Sequence, residues 1–189
     1  AAGSRTSPPR VSRGGSRGAS RSDPTGTILQ TAGELRLDGD LFLGLTSLGK
    51  GTYVITNGTL HMTDEDIIIG QNGQGFMTVT GTAVVAMDAG ADDNLLIGDG
   101  GTGTGTLTMA GGTFTVGDSI YLGRLAGGDG RIEMSGGFLD VPVAAFVGNG
   151  NTATGRVNVT GGHWAPTTVA VVISRIRNRV GVRSMMSPL

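Results

Sequence analysis

Between residues 26 and 173 apolar and small polar residues alternate in short runs separated by glycine. Residues 105–123, "GTLTMAGGTFTVGDSIYLG", and residues 26–44, "GTILQTAGELRLDGDLFLG", have the same length. Gly105, Gly112 and Gly123 stand where Gly26, Gly33 and Gly44 stand. Alternation over a few residues is the period of a half-buried strand, and the glycines mark the turns between strands. The unit recurs from opening glycines at Gly26, Gly51, Gly75, Gly105, Gly130 and Gly155, with spacings of 25, 24, 30, 25 and 25 residues. After each opening glycine comes a first strand ("TILQT", "TYVIT", "FMTVT", "TLTMA", "RIEMS", "RVNVT"), then a small or glycine corner and a second strand. A loop of variable length leads to a third strand ("LFLG", "IIIG", "LLIG", "IYLG", "AFVG").

A period near 25 with three short strands per unit suits few architectures. Propeller blades need about 40 residues and four strands, and leucine-rich repeats need an Asn or Cys ladder that is missing. The pattern predicts an all-β chain: a single right-handed parallel β-helix of about six coils. Equivalent strands stack into three sheets over residues 23–173, and handedness follows the rule for parallel crossovers. Six coils at about 4.8 Å each give a rod on the order of 30 Å long.

Strand side chains alternate, so the second and fourth residues after each opening glycine share the inward face. They are Ile28, Tyr53, Met77, Leu107, Ile132 and Val157, then Gln30, Ile55, Val79, Met109, Met134 and Val159. Gln30 alone is polar, and it falls in the first coil, where a polar cap is useful. The second strand is expected to send Leu35, Leu60, Val84, Phe114, Leu139 and Trp164 inward. The third unit carries five extra residues around "MDAGADDN", which fits a loop bulging from a corner.

Composition sharpens the picture. Glycine at 36 of 189 residues, without a Gly-X-Y period, fits many tight turns. The absence of cysteine removes disulfides, thiolate metal sites and a cysteine nucleophile. No apolar run approaches the roughly 18 residues of a membrane-spanning helix. The chain begins "AAGSRTSPPR", without an initiator Met or a signal-type apolar run, and reads as a fragment or a processed chain. Residues 1–22 are rich in Ser, Arg, Gly and Pro and are expected to be a disordered basic segment. Residues 174–189, "SRIRNRVGVRSMMSPL", abandon the repeat and read as a basic tail or cap.

The net charge of −1 hides an asymmetry. Every acidic residue lies between Asp23 and Asp140, while nine of the fourteen basic residues lie in the two terminal segments. An acidic body argues against nucleic acid as a partner of the folded part.

Units of the form "GTLTMAGGTFTV…YLG" resemble the β-strand repeats of bacterial autotransporter passenger proteins and related large secreted repeat proteins. The resemblance spans about residues 26–173 and rests on turn glycines and core positions. It implies secretion, display at the bacterial surface and often adhesion.

Several stretches raise the question of chemistry. "GDGGTG", Gly98 to Gly103, satisfies G-x-G-x-x-G, but strand periodicity follows where a dinucleotide site needs a helix. Asp64, Glu65 and Asp66, with Asp88, Asp92 and Asp93, could supply oxygen ligands to calcium. The calcium-binding nonapeptide has no match, so solvated loops and no metal or cofactor are expected. A carbohydrate-active β-helix enzyme acting on acidic polysaccharide would need paired carboxylates. Asp92 with Asp93 is the only tempting pair, and basic residues to hold uronates are sparse in the body. His61 and His163 have no evident acid partner in the linear pattern. Trp164 falls in the inward column and reads as core or end cap.

The third strand is the most informative. If its flanking residues point inward, the residue between them points outward: Phe42, Ile68, Leu96, Tyr121, Phe146 and, continuing the series, Val171. An outward ladder that is apolar in every coil marks an interface, with another copy, another part of the parent chain, or a surface or glycan. The bland alternative is residues 174–189 folding back over it. The reading is a non-enzymatic structural or adhesive module of a secreted or surface-displayed bacterial protein. The polysaccharide enzyme and the subunit of an extracellular fibre are the alternatives.

Overall fold

In a computed structural model, residues 23–90 and 92–171 are described; the terminal segments 1–22 and 174–189 lie outside them, as do residues 172 and 173. The described residues form strands and turns without a helix, wound into about six stacked coils of a β-solenoid. Coil 1 comprises β1 (Thr25–Gln30), β2 (Glu34–Leu37) and β3 (Leu41–Leu43). Coil 2 comprises β4 (Lys50–Ile55), β5 (Thr59–Met62) and β6 (Ile67–Ile69). Coil 3 has β7 (Gln74–Val79), β8 (Val84–Met87) and β9 (Leu95–Ile97). In coil 4 the first two strands merge into β10 (Thr104–Thr115), followed by β11 (Ile120–Leu122). Coil 5 is one bent strand, β12 (Asp129–Val147), and coil 6 has β13 (Thr154–Val159) and β14 (His163–Val171).

All strand pairs are parallel, and the opening glycines stack in register: Gly26, Gly51, Gly75, Gly105, Gly130, Gly155. The first-strand inward columns lie where the alternation puts them. Tyr53, Met77, Leu107 and Ile132 are buried in one, and Ile55, Val79, Met109 and Met134 in the other. Each large apolar side chain so removed from water contributes about 1.5–3 kcal/mol. These columns and their second- and third-strand counterparts form one continuous apolar core through the coils.

Glycine is required where coils meet most closely. Gly70, at the end of β6, has φ +77°, and a Cβ there would lie 2.1 Å from the carbonyl oxygen of Thr104. A Cβ on Gly75 would lie 2.1 Å from the backbone nitrogen of Gly70. No side-chain adjustment relieves either clash, because the obstacles are backbone.

Two positions depart from the alternation. Val85, not Val84, continues the second-strand column: Val85 pairs with Leu60 and Phe114 and is fully buried, whereas Val84 is exposed. From Ile55 to Leu60 is five residues, as in the other coils, but from Val79 to Val85 is six. The extra residue in the coil 3 corner flips the parity of the strand that follows. The same effect moves the end of coil 6. The register between β12 and β14 shifts after Val141, so Ala170 pairs with Phe146 and Val171 pairs with Val147. Val171 therefore belongs to the inward series, and Ala170 takes the outward place expected of it.

Candidate functional site

The third-strand face is built by β3, β6, β9, β11 and the end of β12, in register Phe42, Ile68, Leu96, Tyr121, Phe146. Flanking residues such as Ile67, Ile69, Leu95 and Ile97 fill the core, which turns the middle residue of each strand outward. The five are not equally open. Phe42 is 38% exposed and Tyr121 and Phe146 are half-buried, but Ile68 and Leu96 keep only 3% and 2% of their surface in solvent. The ladder is therefore not one continuous exposed stripe. It presents Phe42 at one end and an aromatic pair at the other, the Tyr121 and Phe146 rings stacked with centroids 4.8 Å apart and planes 10° from parallel. Val171, in the inward register, is not part of this face.

Beside the ladder runs an ion pair between coils. Arg124 grips Asp99 with Nε 2.5 Å from Oδ1 and Nη2 3.2 Å from Oδ2, and the Asp99 side chain is almost wholly buried. This hydrogen-bonded pairing raises the arginine's pKa further above its ordinary value. Asp66 and Tyr121 also lie near enough to Arg124 to help raise its pKa, so the ion pair borders the aromatic end of the face.

Nine of the fifteen acidic residues lie at the corners between second and third strands. Several bracket one coil to the next through backbone amides: Asp66 donates its N–H to Asp40 Oδ1 at 3.1 Å, and Asn94 donates its N–H to Asp66 Oδ1 at 2.7 Å. Burial pushes the Asp66 carboxyl up despite the bond from Asn94, and Asp40 pushes up the exposed Glu65. In the long coil 3 loop, Asp92 is exposed but Asp93 is only 3% exposed, with no hydrogen-bond partner for its Oδ2. Burial, then the charges of Asp64, Asp88, Asp92 and Asp118, raise the Asp93 pKa. Asp92 and Asp93 thus do not open to solvent together as a carboxylate pair. Among the described residues no three His, Asp or Glu side chains converge to hold a metal ion.

The histidines have partners that the linear pattern hides. His61 Nε2 lies 2.7 Å from Asp88 Oδ1, on the next coil, and its Nδ1 lies 4.0 Å from Glu34, on the previous one. Both ring nitrogens face carboxylates rather than a hydroxyl nucleophile. The signal was the coil period itself: His61 and Asp88 are 27 residues apart, about one turn. His163 stacks on Phe138 at 5.2 Å, and Trp164 packs half-buried against the end of the core. The glycine-rich Gly98–Gly103 turn leads from β9 directly into β10, so the helix that a dinucleotide site requires is not there.

Compared with protein-family models, curated proteins and solved structures, the chain matches none.

Proposed function

We propose that this chain is a non-enzymatic structural or adhesive module of a secreted or surface-displayed bacterial protein, and that it binds through the third-strand face. The supporting observation is the stacked Tyr121–Phe146 pair, held outward by a rigid parallel ladder beside the Arg124–Asp99 ion pair. Aromatic rings fixed in this way bury apolar area with little loss of side-chain freedom, and phenol and guanidinium groups supply directional bonds at the border. A solenoid suits such a role because each coil is held by its neighbours and the surface is extended. The repeat's likeness to autotransporter passenger repeats supports placement outside the cell.

The test is binding of the purified chain to immobilised polysaccharides and to bacterial and host-cell surfaces, with the Tyr121→Ser/Phe146→Ser variant alongside. Both residues face outward, so the strand signal in circular dichroism should persist while binding falls at least tenfold. Undiminished binding by the variant, or no binding by the parent chain, overturns the reading.

A further inference from the structure

Three asparagines in the chain precede glycine: Asn57-Gly58, Asn72-Gly73 and Asn149-Gly150. In such a dipeptide the glycine nitrogen can close a five-membered imide ring on the asparagine Cγ, because no Cβ crowds its approach. The reacting groups are tethered, so the step gains the effective concentration of an intramolecular reaction. It requires a backbone nitrogen that is not held elsewhere and an electrophilic amide carbon. The fold treats the three dipeptides differently on both counts.

At two of them the nitrogen is committed. The Gly73 N–H donates to the Gly44 carbonyl at 2.9 Å, and the Gly150 N–H donates to the Gly123 carbonyl at 2.9 Å. Each bond ties one coil to the previous one, and attack on Cγ would break it. Asn72 is held further by its Nδ2, which donates to the Leu45 carbonyl at 3.4 Å. Gly58 differs. It lies with φ +90° at the corner between β4 and β5, and its N–H bonds to no group among the described residues. The corner is tied to its neighbours by other atoms: Thr59 N–H donates to the Gly33 carbonyl at 2.8 Å, and the Gly58 carbonyl accepts from Val84 N–H at 2.9 Å. The Asn57 side chain is exposed, and two donors from the next coil meet its Oδ1: the Thr82 hydroxyl at 2.8 Å and the Thr82 N–H at 3.4 Å. Charge develops on that oxygen when a nitrogen adds to Cγ, so Thr82 stands where the donors of an oxyanion hole stand.

We propose that Asn57 is a self-modification site, converted without an enzyme to aspartate and isoaspartate, with Thr82 as the residue that activates it. Hydroxide takes the Gly58 amide proton as that nitrogen bonds to Cγ. The Cγ–Nδ2 bond breaks, Nδ2 takes a proton from water and leaves as ammonia, and Oδ1 becomes a carbonyl oxygen of the imide. Water then opens the ring. Opening at Cγ gives aspartate, and opening at the backbone carbonyl gives isoaspartate, which carries the chain through one extra methylene. Nothing is oxidised or reduced. The corner has no slack for that methylene, since even a Cβ on Gly58 would lie 2.3 Å from the Gly33 carbonyl oxygen. Isoaspartate at this position therefore loosens coils 1 to 3, and the site records the age of the protein. The inference is independent of the third-strand face, which other strands build.

The full chain is held at mildly alkaline pH, and peptide mapping by mass spectrometry follows each asparagine with time. Asn57 should convert several times faster than Asn72 and Asn149, and Tm should fall in step with the isoaspartate fraction. In urea the three should convert at similar rates, because only the fold separates them. Thr82→Val replaces an exposed side chain and should keep the strand signal in circular dichroism. It should slow Asn57 about fivefold, the contribution of one ordinary hydrogen bond, and leave Asn72 and Asn149 unchanged. Asn57→Gln would need a six-membered ring and should hold its Tm over the same period. Conversion of Asn72 or Asn149 as fast as Asn57 in the folded chain overturns the proposal, as does the same order of rates in urea. So does an unchanged Asn57 rate in Thr82→Val. If that variant loses its strand signal, Thr82→Ala replaces it.

Discussion

The hydroxyl of Tyr53 donates to Oε1 of Gln30, joining the polar residue of the inward column to the tyrosine one coil above it. Burial pushes the Tyr53 hydroxyl up to a pKa of about 12, so it stays a neutral donor at any ordinary pH. Each group explains the other: a buried phenol needs an acceptor, and Gln30 provides it. Gln30→Leu should cost about 1–3 kcal/mol by stranding the phenol, and Tyr53→Phe about 1 kcal/mol. The double variant should be more stable than the sum of the two losses implies. Urea unfolding of all four proteins gives the coupling, and strict additivity would show that the pair does not interact.

Asp93 makes the coil 3 loop sensitive to pH. Its folded pKa is raised above the unfolded value by burial and by neighbouring carboxylates, so the native state holds its proton more tightly than the unfolded chain. That stabilisation is full below the unfolded pKa and is lost as pH rises through the folded one. Asp66 acts in the same direction, while Glu133, whose pKa is lowered chiefly by the bond from Asn158, acts in the opposite one at lower pH. Tm should therefore fall between mildly acidic and neutral pH. Asp93→Asn should flatten that slope and raise Tm at pH 7. An unchanged slope in the variant would assign the pH dependence elsewhere.

Val84 and Val85 provide a test of the coil 3 corner. Val84 is exposed and Val85 fully buried, so Val84→Ser should change stability by about 0.5 kcal/mol or less. Val85→Ser should cost about 2–4 kcal/mol through lost burial and a hydroxyl placed in the core. The reverse order in denaturant titration would return the column to Val84.

The candidate face was half legible. The three-residue strands showed which side chain lies between two inward ones, and all five that occupy the face are large and apolar or aromatic in a way no solvent face requires. How open each would be was not legible, because the burial of Ile68 and Leu96 depends on what surrounds the ladder rather than on their own strands. The pairing of His61 with Asp88 and of Arg124 with Asp99 was equally hidden, since each joins residues about one coil apart through side-chain geometry that the repeat permits but does not specify.

The sequence by itself determined the solenoid, because alternation, glycine spacing and strand length all repeat with one period and only stacking buries every apolar face they create. It also determined the first-strand columns, whose opening glycines hold a constant distance from them. Only the tertiary structure decided the parity beyond an irregular corner. One residue more before Val85, or one fewer before Ala170, leaves the apolar pattern readable in either phase, and neighbouring coils choose by offering a hydrogen-bonding edge and a core that fit a single register.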